Sequence, residues 1–134
     1  MIIRQLNHVA LHVADVKASS DFYERVLGLK PLPRPAFSFD GAWFEIAPAD
    51  GSQPAQELHL IAGRDAFDGR IYHWAMRVDS IEDAAAHLRA RQVNFAGPSR
   101  RPDGAMQIFL RDPDGHVIEF CVLPPLPAAA TAGS

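Results

Sequence analysis

Two periodicities take turns along the chain. From Ile3 to Val13 apolar and polar positions alternate, with Val9, Leu11 and Val13 on one side and His8, Ala10 and His12 on the other. Successive strand side chains point to opposite faces, so this segment predicts a half-buried strand. Asp15 to Leu29 changes to helical spacing through Phe22, Tyr23, Val26 and Leu27. Gly28 stands where a helix end favours a residue tolerant of positive φ, and a helix is expected over roughly residues 18–27. Pro31, Pro33 and Pro35 exclude a regular central strand, because proline cannot donate to a ladder. Phe37 to Ile46 and Glu57 to Ile61 again read as extended, separated by a loop rich in Gly, Pro and Ser over 48–54.

The second half repeats this order. Ile71 to Val78 reads as extended, Ile81 to Arg91 as helical, Asn94 to Ala96 as a short strand, and Ala105 to Arg111 and Val117 to Val122 as extended. Asp112-Pro113-Asp114-Gly115 predicts a tight turn between the last two strands. At an offset of 65, His8-Val9-Ala10-Leu11-His12-Val13 meets His73-Trp74-Ala75-Met76-Arg77-Val78, so His, Ala and Val recur in register. At an offset of 60, Glu57-Leu58-His59-Leu60 meets Val117-Ile118-Glu119-Phe120, where the alternation matches although the residues differ. The fold class expected is α+β, with two βαβββ modules at about 1–63 and 70–124 sharing one domain over 1–124, and a frayed Pro- and Ala-rich tail over 125–134.

Composition narrows the class. With 134 residues, 48% of them hydrophobic and 22% charged, the chain is long enough for one globular core. The net charge of −3 and the scattered arginines give no footprint for nucleic acid. A single cysteine, Cys121, cannot form an internal disulfide. No secretory leader and no membrane-spanning apolar run are evident, so a cytoplasmic setting is expected.

The polar positions inside the strands carry the candidate chemistry. His8 is flanked by Asn7 and Val9, His59 by Leu58 and Leu60, His73 by Tyr72 and Trp74, and Glu119 by Ile118 and Phe120, so each polar group opposes the apolar side of its strand. Taken alone, a strand histidine is more often a hydrogen-bonded rim residue than a ligand. Two such groups in equivalent places of each repeat point instead to one divalent metal ion. Three imidazoles and a carboxylate suit zinc, nickel, iron(II), cobalt or manganese. Glu57 shares the face of His59 and competes with it as fourth ligand, or serves as a base beside the ion. Glu119 is the other candidate proton carrier. His12 and Arg77 occupy matching positions at the rim, where they are candidates for contact with an anionic substrate. Phe39, Trp43 and Cys121 are candidates for the pocket wall. His87, on the second helix, and His116, after the turn, are not assigned a role.

At these residues the chain resembles the vicinal oxygen chelate superfamily, which includes glyoxalase I, fosfomycin and bleomycin resistance proteins and extradiol dioxygenases. The resemblance rests on Leu6-Asn7-His8-Val9-Ala10-Leu11-His12-Val13-Ala14-Asp15, on Phe22-Tyr23 with Leu27-Gly28-Leu29, and on Leu110-Arg111-Asp112-Pro113-Asp114-Gly115-His116-Val117-Ile118-Glu119. It implies paired βαβββ modules forming a partly open, curved sheet around a metal, often in a homodimer. It also implies that His8, His73 and Glu119 occupy ligand positions. Glyoxalase I has Glu on the remaining ligand strand, where this chain offers His59. The function implied is a metal-dependent lyase or isomerase acting on a small oxygen-chelating substrate. An extradiol-type dioxygenase, or a resistance-type protein that binds a small molecule without catalysis, is the alternative.

Overall fold

The computed structural model describes residues 1–2, 4–52, 54–63 and 73–124. The expected tail at 125–134 and the start of the second half at 71–72 lie outside the described residues. The chain divides into two compact units, Met1–Ile71 with Asp112–His116, and Tyr72–Arg111 with Val117–Ser134. Each has one four-stranded sheet and one helix, in the order strand, helix, three strands.

The first unit contains β1 (His8–Val13), α1 (Val16–Arg25), β2 (Lys30–Leu32), β3 (Gly41–Ala47) and β4 (Gln56–Ala62). Its sheet runs β1-β4-β3-β2, with β1 and β4 parallel and the other pairs antiparallel. The helix starts two residues before its expected position because the Asp15 carboxylate accepts the Ala18 N–H at 3.0 Å and caps the first turn. Gly28 takes φ 70° beyond the helix end, as its position predicts. Tyr23 and Val26 are buried together with Phe44, Leu58 and Leu60 of β3 and β4. Each such side chain contributes about 1.5–3 kcal/mol through the area it removes from water. The apolar face of the sheet is thereby covered by α1, and the opposite face keeps the polar set.

Pro31 does sit in a strand, but β2 is only three residues long and lies at the sheet edge, where a missing donor is tolerated. The extended reading of Phe37 to Ile46 is too long at its start, since β3 begins at Gly41. Before it, the Phe37 N–H turns back to the Pro35 carbonyl at 2.8 Å and the Arg34 guanidinium holds the Phe39 carbonyl at 2.8 Å. These backbone groups are satisfied locally and are withdrawn from the ladder.

The second unit contains β5 (His73–Arg77), α2 (Ile81–Ala90), β6 (Phe95–Arg100), β7 (Met106–Arg111) and β8 (Val117–Val122), in sheet order β5-β8-β7-β6. Ser80 caps α2 by accepting the Asp83 N–H at 3.1 Å, and Ile81, Ala85 and Leu88 are its buried positions. The strand expected only at Asn94 to Ala96 continues to Arg100. A register shift between Ala96 and Ser99 absorbs Gly97-Pro98 on this edge strand.

The β7–β8 turn belongs to the first unit, where its acidic side chains are used as acceptors. Asp112 Oδ1 receives the N–H groups of Asp114 and His116 at 2.9 and 2.8 Å, and its Oδ2 receives the Tyr23 hydroxyl at 2.8 Å. Asp114 Oδ1 in turn accepts the Ala14 N–H at 3.1 Å. No helix among the described residues is long and apolar enough to cross a membrane.

Candidate metal centre

The strand registers decide which polar side chains are neighbours. In the first sheet His8 pairs with Glu57, and Ala10 with His59, which is also paired with Trp43. His59 therefore stands on the strand next to His8, displaced by one two-residue step along the same face. In the second sheet His73 pairs with Val117, and Ala75 with Glu119, which is paired with Phe109. Glu119 thus bears to His73 the relation that His59 bears to His8. Glu57 falls at the place of Val117 in this comparison.

Hydrogen bonds around each imidazole determine which nitrogen is available. His8 Nδ1 lies 2.9 Å from Asn7 Oδ1, and an oxygen acceptor there selects the tautomer protonated on Nδ1 and leaves the Nε2 lone pair free. His59 Nε2 lies 2.7 Å from Glu57 Oε2, which by the same reasoning leaves Nδ1 free. The two rings stack at 4.3 Å with 15° between their planes, and His59 stacks on Trp43 at 4.0 Å and 3°. Glu57 is thus the partner of His59, a role that the shared face of the two residues did not by itself distinguish from rivalry for the ion.

In the second unit Glu119 is 4% exposed, a burial that a carboxylate tolerates only with partners. Gln107 Nε2 donates to its Oε1, and His73 Nε2 stands 3.9 Å from its Oε2. The His73 ring meets Phe109 edge-on at 5.9 Å. Each unit by itself brings together two of the four candidate ligands. Within either unit, among the described residues, no three His, Cys, Asp or Glu side chains gather closely enough to hold an ion.

The remaining candidates are placed as follows. His12 is exposed on the face of His8, and its backbone carbonyl lies 2.9 Å from His116 Nε2. Arg77 is exposed beside Cys121, its register partner. Cys121 is buried, and that burial, with the nearby Glu119 charge, pushes its thiol above the ordinary range and makes it a poor nucleophile. Phe39 lies in the segment before β3, 45% exposed, and Trp43 lies against His59. Asn7 and Gln107 were not singled out from sequence. Asn7 precedes the strand and folds back on its neighbour, while Gln107 reaches Glu119 across a strand pair, so neither leaves a periodic trace.

The family model of the Glyoxalase/Bleomycin resistance protein/Dioxygenase superfamily matches residues 5–120. The chain belongs to this superfamily. Among its glyoxalase-like relatives, Glyoxylase I 4 of Arabidopsis thaliana is 28% identical over 98% of this chain and 78% of its own length. The lactoylglutathione lyase of Escherichia coli O157:H7 is 31% identical, covering 87% of this chain and 90% of that protein. In fold, the chain matches a fosfomycin resistance protein of Listeria monocytogenes, solved with Mn(II) and 1S,2S-dihydroxypropylphosphonic acid. The TM-score is 0.73 at 17% identity, covering 92% of this chain and 95% of that one. Two modules of four strands and one helix are thus the superfamily's architecture, here in one chain.

Proposed function

We propose that the protein is a metal-dependent enzyme of glyoxalase type, a lyase or isomerase acting on a small substrate that presents neighbouring oxygen atoms. His8, His59, His73 and Glu119 are the proposed ligands of one divalent ion of the zinc, nickel, iron(II), cobalt or manganese class. The observation that carries this reading is the matched register, His8 with His59 in one sheet and His73 with Glu119 in the other. The donor chemistry fits such an ion, since neutral imidazole nitrogens and a carboxylate are its preferred protein ligands. The hydrogen bonds that His8 and His59 make to the Asn7 and Glu57 oxygens fit as well, because a ligating imidazole usually gives its other N–H to an oxygen acceptor.

When bound, the ion supplies a Lewis acid where negative charge develops on a substrate oxygen. The chain's own residues then hold and move the proton. Glu57 keeps one oxygen on His59 Nε2 and has the other free among the described residues, so it is a base beside the site. Glu119 is held by Gln107 on one oxygen, which orients the second. The likeness to lactoylglutathione lyase supports the lyase reading over the dioxygenase and pure binding alternatives. A homodimer is the proposed assembly.

Metal analysis of untagged protein, followed by a lyase and isomerase activity panel on the loaded chain, tests the proposal. About one ion per chain is expected, lost on His8→Ala or Glu119→Ala together with activity. Fewer than about one ion per two chains, with those variants unchanged in metal content, would overturn it in favour of a binding protein. Metal-dependent oxygen uptake with a catechol under ferrous loading would replace the lyase by a dioxygenase.

A further inference from the structure

The aromatic contact at His59 does not stop at Trp43. Trp43 continues to Phe37 at 6.1 Å between ring centroids, and Phe37 stacks on Phe39 at 5.1 Å with 19° between the planes. The Arg34 guanidinium carbon stands 4.8 Å from the Phe37 centroid and 4.9 Å from that of Phe39. All of these residues belong to the first unit. Phe37 and Phe39 are each 45% exposed, so two large rings are left partly in water, linked to a candidate ligand through Trp43. Single exposed apolar residues need no explanation, but a contiguous group organised around a cation is characteristic of a binding surface.

Arg34 is the informative member. One of its terminal nitrogens donates to the Phe39 carbonyl, its Nε is shielded from solvent with no acceptor, and no carboxylate pairs with it among the described residues. Contact with aromatic faces holds a guanidinium in place without cancelling its charge. Backbone geometry supports this placement, because a Cβ at Gly41 would come within 3.1 Å of the Arg34 Nε and would run into the Leu60 carbonyl. The result is a fixed, uncancelled positive charge on an aromatic cluster that continues through Trp43 to His59.

We propose that Arg34, Phe37, Phe39 and Trp43 form the subsite for the part of the substrate remote from the ion, and that the substrate class is a planar aromatic molecule bearing an anionic group. The assignment rests on the function proposed above for His59 and its partners. The rings stack with the aromatic body, and Arg34 pairs with the anion in the planar geometry that guanidinium offers to a carboxylate. Charge complementarity selects this occupant, since a neutral apolar molecule would leave Arg34 desolvated and unpaired.

Isothermal titration of the full chain with 2-naphthoate, 2-naphthylmethanol and cyclohexanecarboxylate tests it. The naphthoate is expected to bind about tenfold or more tightly than either control, which lacks the charge or the aromatic body. Arg34→Gln should weaken naphthoate by about tenfold and leave naphthylmethanol unchanged, and Phe39→Leu should weaken both naphthyl compounds. Circular dichroism melts establish that each variant is folded. Equal binding of naphthoate and naphthylmethanol by the unaltered chain, or no binding of either, overturns the proposal without recourse to any variant. An unchanged naphthoate affinity in folded Arg34→Gln does so too. The titrations are repeated after chelator treatment, where naphthoate binding should persist without metal. If the protein carries no metal yet discriminates the three probes as described, the ion's role fails and the subsite stands.

Discussion

Asn7 and Glu57 are the single side chains that decide which nitrogen of each of two proposed imidazole ligands is left free. An anionic acceptor on His59 Nε2 and an amide oxygen on His8 Nδ1 select tautomers and increase the basicity of the free nitrogens. Glu57→Gln keeps the size of the side chain but removes the charge, and should lower metal affinity by about 10- to 100-fold in competition with a chelator. His59→Ala should remove binding altogether. Equal losses in both variants would make Glu57 a ligand itself. The alternation of the strands made His8, His59, His73 and Glu119 legible as polar groups opposed to apolar faces. It left Glu57 unresolved, because residues two apart on a strand share a face whether they bond to each other or to a common ion.

At the scale of elements, α1 and the β7–β8 turn are joined through polar contacts, of which the Tyr23–Asp112 bond is the buried one. Asp112 is 5% exposed, and the Tyr23 hydroxyl satisfies one of its oxygens while turn N–H groups satisfy the other. Tyr23→Phe leaves that oxygen without its donor and should destabilise the fold by about 1–3 kcal/mol in urea unfolding, with a near-native circular dichroism spectrum. Burial, and then the charge of Asp112, pushes the Tyr23 phenol well above its ordinary value. A group with a raised folded value binds its proton more tightly in the native state. Its stabilisation is complete below the unfolded phenol's value of about 10 and declines as pH rises beyond it. Unfolding free energy should therefore fall above about pH 10, with a shallower slope in Tyr23→Phe. An identical slope in both proteins would remove Tyr23 as the cause. The Asp-Pro-Asp-Gly turn was legible in sequence, and so was a buried tyrosine on the helix. Their contact was not, because 89 residues separate the partners.

For the whole molecule, the repeat gives each unit the same order of elements and the same strand adjacency. The proposed site needs two ligands from each, so neither unit alone supplies a complete set. The proposed homodimer predicts a light-scattering mass of twice the 14.7 kDa of one chain. A mass of one chain across the micromolar range would exclude a stable dimer.

By itself the sequence determined both helices and the order of every strand except the short edge strand β2, the presence of two related halves, and the strand faces on which the imidazoles and carboxylates lie. These follow from periods of two and about 3.6 residues and from local caps and turns, all set by neighbours in the chain. The tertiary structure alone decided that His59 lies beside His8 in the register that Glu119 has beside His73, that Glu57 bonds to His59, and that Arg34 rests on Phe37 and Phe39. It also assigned the 112–116 turn to the first unit. These contacts depend on which strand lies next to which and on where a non-repetitive segment folds back. Local period specifies a side chain's face but does not specify its neighbour across the sheet.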